Sequence, residues 1–191
     1  PEKSLKILMI KRGEHPFLGQ WALAGGFVRP HETTEQTAKR ELAEETGVSD
    51  VYLEQLYTFS DPSRDPRTWV VSCSYLALVD SDKLSLRAGD DASDVAWFHV
   101  AYKLVREVKD IVPTGSVKQS AWLLTLSCEE IILEAEIVCT TTISEYTVTT
   151  DYNVISSSNI AFDHAKIIAF AIERLRGKVE YTNIAFNLMP S

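Results

Sequence analysis

Cysteine is scarce in this chain: Cys73, Cys128 and Cys139 are the three among 191 residues. They show no metal-ligand spacing, and an odd number cannot close a disulfide framework. Cys73 and Cys139 fall in apolar, strand-like runs and are expected to be reduced core residues. With no secretory leader pattern, the expected location is the cytoplasm. No apolar run approaches the ~20 residues needed to span a membrane as a helix. Basic side chains are outnumbered 27 to 19, for a net charge of −8, which argues against DNA binding by a basic patch on this chain itself. Internal repeats and low-complexity segments are absent. Hydrophobic residues make up 45% of the chain, enough for a proper core, and the length suits one domain with an extension.

One stretch, residues 26–48, carries most of the chemistry. It sets Gly26, Glu32, Arg40, Glu41, Glu44, Glu45 and Gly47 at fixed intervals, with apolar Leu42 and Val48 among them. Pro30 precedes a predicted helix, and Thr33 with Gln36 forms a capping-box pattern. No Pro or Gly interrupts from there to Thr46, and Gly47 supplies a left-handed stop. At 100° per residue, Glu41, Glu44 and Glu45 fall within about 100° of one helix face. Like charges at i,i+4 repel, so the cluster implies a counter-charge. Mg²⁺ suits it, because it takes oxygen ligands and binds through a few carboxylates plus substrate phosphates; Mn²⁺ is the alternative. Arg40, whose planar fork can fix carboxylates bidentately, reads as the group that orients the glutamates and reaches back to Glu32. Ala38 and Leu42 are expected to pack this helix onto a sheet.

The spacing Gly-x5-Glu-x7-Arg-Glu-U-x-Glu-Glu-x-Gly-U, with U bulky and apolar, is that of the Nudix box, and all nine specified positions match. A chance match in a chain this long has odds of roughly one in ten million. The chain therefore resembles a Nudix hydrolase. The resemblance implies an α/β fold, an α/β/α sandwich around a mixed sheet, and cleavage of a nucleoside diphosphate linked to another group. It implies Glu41, Glu44, Glu45 and the Gly26 carbonyl as metal ligands, with Arg40 and Glu32 completing the catalytic set. The water's proton would go to a box glutamate or to a carboxylate on a later loop. Asp90, Asp91 and Asp94 lie where such a loop is expected, though alone they read more readily as a polar turn before a strand. Upstream, Lys11 and Arg12 follow an apolar strand and lead to the loop Leu23-Ala24-Gly25-Gly26. Arg12 and Gly25 are taken as substrate contacts.

Substrate choice falls outside the box. Arg64-Asp65-Pro66-Arg67 feeding a strand looks like the ADP-ribose branch. Arg64 and Arg67 are either ligands to phosphate or ribose hydroxyls, or surface residues of a polar turn. The C-terminal third, with Ile160-Ala161-Phe162-Asp163-His164 and Glu180-Tyr181-Thr182-Asn183, is similar to Nudix-related transcriptional regulators of NAD metabolism. In those proteins an ADP-ribose-sensing Nudix domain precedes a winged helix, which here would begin near Ser191. His164 reads as a helix-start or interface residue more readily than as a catalytic group.

The expected organisation is a Nudix core over 1–112, a β-rich extension packed on it over 113–160, and a terminal helix and tail over 161–191, the latter a candidate linker to a winged helix. Strands are expected near 51–59, 68–79 and 94–99, a short helix over 102–109, and a helix over 161–176. The opening at Pro1, almost directly into a strand, suggests one more strand upstream of the sequence. The resemblance implies a homodimer, with a nucleoside diphosphate compound as the small-molecule partner.

Overall fold

A computed structural model describes residues 4–84, 86, 92–113 and 115–181. β1 (Lys6–Arg12) and the two-residue β2 (Trp21–Ala22) precede α1 (Thr34–Thr46). β3 (Glu54–Phe59) and β4 (Ser72–Leu76) form a separate two-stranded sheet. β5 (Ala92–Val112), β6 (Gly115–Cys128), β7 (Ile131–Ser144) and β8 (Val148–Ser158) follow, and α2 (His164–Tyr181) ends the described chain.

The main sheet runs β2-β1-β5-β6-β7-β8, and each neighbouring pair is antiparallel. Parallel geometry enters where Trp21 bridges Ile160. The architecture is α/β: a curled, mostly antiparallel sheet with helices, the last of them terminal. The strands after residue 113 extend this same sheet, each one edge further from β1.

One face of the sheet is apolar and carries the core. Met9, Phe98, Leu124, Leu126, Leu133 and Ile137 are buried there against Ile168, Ala169 and Ile172 of α2. Alternation at period two in the strands and i,i+4 spacing in the helix bring these residues to facing surfaces. The β3–β4 sheet is fastened to the same helix, since Leu56 and Phe59 cluster with Ile167. No helix among the described residues is long and apolar enough to cross a membrane.

Two expectations need correction. Residues 102–109 are not a helix but the second half of β5, paired with β6 from His99↔Ser127 to Val112↔Gly115. Their charges suit an exposed helix, yet cross-strand partners use them. Glu107 accepts from Ser120 Oγ at 3.0 Å and pairs with Lys118 at 2.8 Å, and Tyr102 stacks on Trp122 at 4.7 Å. Tertiary pairing overrides local preference here. The strand expected over 68–79 is shorter, Ser72–Leu76, and residues 69–71 before it and 77–79 after it are not in a strand.

Candidate active site

α1 begins and ends as its local signals dictate. Thr33 Oγ1 accepts from the Gln36 N–H at 3.2 Å, and Gln36 Oε1 accepts from the Thr33 N–H at 2.8 Å. These reciprocal bonds close the capping box. Gly47 takes φ +75°, the left-handed stop. Thr37 and Thr46 are the buried residues of the helix, while Ala38 and Leu42 are half-buried and line a cleft. A hydrogen bond between Thr34 Oγ1 and Tyr75 Oη at 2.7 Å ties α1 to β4.

Arg40 is the hub of the acidic face. Nε and Nη2 donate to the two oxygens of Glu32 at 2.7 and 3.0 Å. Nη1 donates to Glu41 at 2.6 Å and to Glu44 at 3.0 Å, and Nη2 also reaches the Phe27 carbonyl at 3.2 Å. The guanidinium pulls the Glu32 carboxyl down to about 2, with smaller help from the Arg29 N–H and Thr37 hydroxyl; partial burial works in the opposite direction. The same carboxylates raise the Arg40 pKa, Glu32 contributing most.

Across from this hub lies the loop after β2. The Gly25 N–H donates to Glu45 Oε2 at 2.7 Å. Gly26 lies so close to the Glu41 carboxylate that a β-carbon at residue 26 would overlap it. Glu41 and Glu45, one helical turn apart, thus both meet the Gly25–Gly26 segment, and Glu44 faces solvent, its side chain 49% exposed. The donors are all hard oxygens, which fits a divalent cation of the Mg²⁺ type. Among the described residues the carboxylates do not already converge on one point. Arg40 draws Glu41 and Glu44 to itself, and Gly25 holds Glu45.

The other wall of the cleft is cationic and aromatic. Arg12 ends β1, donates through Nε to the Pro16 carbonyl at 2.8 Å, and lies 4.9 Å over the Phe162 ring. Arg67 lies 5.5 Å over the same ring and 5.7 Å over Phe27. Its own partner is Asp65, at 2.7 and 3.0 Å, which raises the Arg67 pKa and is itself held below the usual carboxylate range. Burial first, and the charge of Arg67 second, push the Arg12 pKa down.

Arg64 is placed differently from Arg67. Nε and Nη2 grip the two oxygens of Asp163 at 2.9 and 2.8 Å, and Nη1 donates to Ser72 Oγ at 2.5 Å. Its side chain is 6% exposed. The guanidinium that the sequence offers as a substrate ligand is a strut between the 62–68 turn, β4 and the start of α2. Asp94 is exposed and accepts from the adjacent Val95 N–H at 2.8 Å, while Asp90 and Asp91 lie outside the described residues.

Of two further cleft residues, Phe162 has no role assigned from the sequence, and His164 stands at the start of α2 as expected. Phe162, in the left-handed region at φ +53°, sits between Arg12 and Arg67 and touches Phe17, with ring centroids 4.6 Å apart. His164 accepts the Leu23 N–H on Nδ1 at 2.9 Å and so pins the loop that carries Gly25 and Gly26. Burial, then the nearby charges of Arg64 and Arg12, lower its pKa to about 3. The available signal is the polar pair Asp163-His164 just ahead of the apolar run Ile167-Ile168-Ala169-Phe170.

The model of the NUDIX domain family matches residues 2–111. An ADP-ribose pyrophosphatase of Methanocaldococcus jannaschii is 44% identical over 97 residues, covering 51% of this chain and 56% of that protein. An ADPR responsive transcriptional repressor, NtrR, of Acinetobacter baylyi is 41% identical over 78 residues, covering 40% of this chain and 31% of the repressor. The crystal structure of a MutT/nudix family protein from Enterococcus faecalis superposes with a TM-score of 0.66 at 38% identity, over 93% of this chain and 57% of that one. The chain thus spans little more than half, or less, of each of these relatives. It belongs to the NUDIX family, in the neighbourhood of ADP-ribose pyrophosphatases and NtrR-type regulators.

Proposed function

We propose that this chain is a divalent-metal-dependent pyrophosphohydrolase for ADP-ribose or a related nucleoside diphosphate derivative, giving AMP and ribose 5-phosphate from ADP-ribose. The observation that carries the reading is the meeting of Glu41 and Glu45 with Gly26 and Gly25 across a cleft whose far wall holds Arg12 and Arg67. The kinship with an ADP-ribose pyrophosphatase supports the substrate class.

In this reading Glu41, Glu44, Glu45 and the Gly26 carbonyl hold Mg²⁺, with Mn²⁺ as the alternative. The bound ion would supply an activated water and neutralise charge on the phosphate oxygens. Arg40 and Glu32 keep Glu41 and Glu44 in register, and the Gly25 N–H holds Glu45. Arg12 and Arg67 hold the diphosphate from the other side, and the Gly25 backbone lets it approach closely. The attacking water loses its proton to a box glutamate as its oxygen bonds to phosphorus, and the bridging P–O bond breaks toward the leaving phosphate. Arg64 acts through Asp163 and Ser72 as a positioning residue.

The test is to incubate the protein with ADP-ribose, with and without Mg²⁺, and quantify AMP. A second reading draws on the kinship with the A. baylyi repressor: the same cleft binds ADP-ribose with little turnover. Tight calorimetric binding without AMP supports that reading. We also infer a homodimer, supported by apolar residues left exposed on β5 and β8, among them Val105, Ile111 and Val148; sedimentation mass in solution checks it.

A further inference from the structure

We propose that His164 is a diphosphate-binding residue, its Nε2–H donating, together with the Arg12 guanidinium, to phosphate oxygens seated beside the Phe162 ring. This rests on the reading of the cleft as a nucleoside diphosphate site, and it gives a ligand role to a residue of α2, outside the family's box.

The tautomer follows from one contact. The Leu23 N–H donates to Nδ1 at 2.9 Å, so Nδ1 holds no proton, and a neutral imidazole must then carry its hydrogen on Nε2. Protonating Nδ1 would set two donors against each other. Burial and two neighbouring guanidinium groups oppose the cationic form as well. His164 is therefore a neutral, fixed donor at neutral pH. Nε2 makes no hydrogen bond among the described residues, and the ring lines the cleft.

Of its neighbours, Arg67 already pairs with Asp65, while Arg12 feels carboxylates only electrostatically, with no hydrogen bond to one among the described residues. Arg12 is half-buried, and among the described residues only its Nε is hydrogen-bonded, to the Pro16 carbonyl. Arg67 uses Nε and Nη2 on Asp65, and its guanidinium lies over the Phe162 ring. The imidazole centroid is 5.5 Å from that ring. Two guanidinium groups and one neutral imidazole thus pack around a single aromatic ring. Burial and the charge of Arg67 both lower the Arg12 pKa, and an anion beside Arg12 offsets both. Glu45 is close enough to act electrostatically on Arg12, so this pocket and the acidic face of α1 address the same ligand from two sides. A diphosphate, with oxygens to offer both a cation and these donors, meets that geometry.

The experiment separates a ligand role from a loop anchor. In His164→Asn the amide oxygen can take the Leu23 N–H in place of Nδ1, but no donor remains where Nε2–H stands; His164→Ala loses both. Inorganic pyrophosphate in the presence of Mg²⁺ is titrated calorimetrically into wild type and both variants. The expected result is a Kd weakened about tenfold or more in His164→Asn with an unchanged melting temperature. In wild type, the imidazole N–H resonance of His164 should shift on adding pyrophosphate, a readout that does not depend on any variant folding. His164→Asn binding pyrophosphate as wild type does, an unmoved resonance, or no binding by wild type would each overturn the inference. ADP-ribose cleavage is scored separately: pyrophosphate binding through His164 without AMP formation counts against the proposed activity and leaves this inference standing.

Discussion

Arg40 and Glu32 meet fork to fork, Nε to Oε1 at 2.7 Å and Nη2 to Oε2 at 3.0 Å, across eight residues of sequence. The pair locks Arg40 in one orientation, from which its remaining N–H groups reach Glu41 and Glu44. A lysine at residue 40 supplies a point charge without the fork. Arg40→Lys is expected to lower turnover on the order of a hundredfold by letting the glutamates drift, with steady-state kinetics at saturating Mg²⁺ as the check.

The same pair gives a signature in acid. Glu32 titrates at about 2 in the fold against an ordinary 4.5. A lowered carboxyl pKa means that its stabilisation is present in full above pH 4.5 and is lost as pH falls toward 2. Glu32→Gln should flatten that part of the stability-versus-pH curve, measured by urea unfolding at successive pH values. An identical curve for the variant would show that the pair does not carry the effect.

Gly26→Ala tests the close approach to α1. Its methyl group would displace the Glu41 carboxylate, which can swing away without disturbing the fold. Mg²⁺ affinity should fall on the order of tenfold, while the melting temperature moves by only a few degrees. A large loss of stability with intact Mg²⁺ affinity would mean that Gly26 is needed for folding alone.

The Arg64–Asp163 pair is nearly buried, the side chains 6% and 14% exposed. Removing one partner leaves the other charge stranded, at a cost of about 3 kcal/mol. Asp163→Ala should therefore melt roughly 6–12 °C lower and lose turnover through the displaced start of α2. Thermal unfolding followed by circular dichroism checks the first part.

His164 sets a second pH window with the opposite chemistry. Its pKa is about 3 in the fold against 6.5 ordinarily, so the unfolded chain binds the proton first. Stability is full above pH 6.5 and declines as pH falls toward 3, by at most about 1.4 kcal/mol per pH unit from this group. His164→Gln should remove that slope, and unfolding measurements between pH 7 and pH 4 would show it.

The parts legible in the sequence are those written locally. Thr33, Gln36 and Gly47 announce the ends of α1, and the box spacing brings Arg40 to Glu32, Glu41 and Glu44. The second half of β5 was not legible, because Lys103, Arg106, Glu107, Lys109 and Asp110 look like a solvated helix until β6 is set beside them. The contacts of the cleft's far wall join residues 141 apart, as Leu23 and His164 do, or 99 apart, as Arg64 and Asp163 do. No local pattern encodes such pairs. That distance in sequence is why Arg64 and Arg67 look equivalent on the page and are not in the fold.

The most direct test of the central claim compares AMP formation from ADP-ribose by the wild type and by Glu45→Gln at saturating Mg²⁺. The account predicts metal-dependent AMP from the wild type and a loss of at least about a hundredfold in the variant, whose amide is a poor ligand for a hard cation. Equal turnover by the two proteins would contradict the assignment of Glu45 and, with it, the metal-dependent reading of the box.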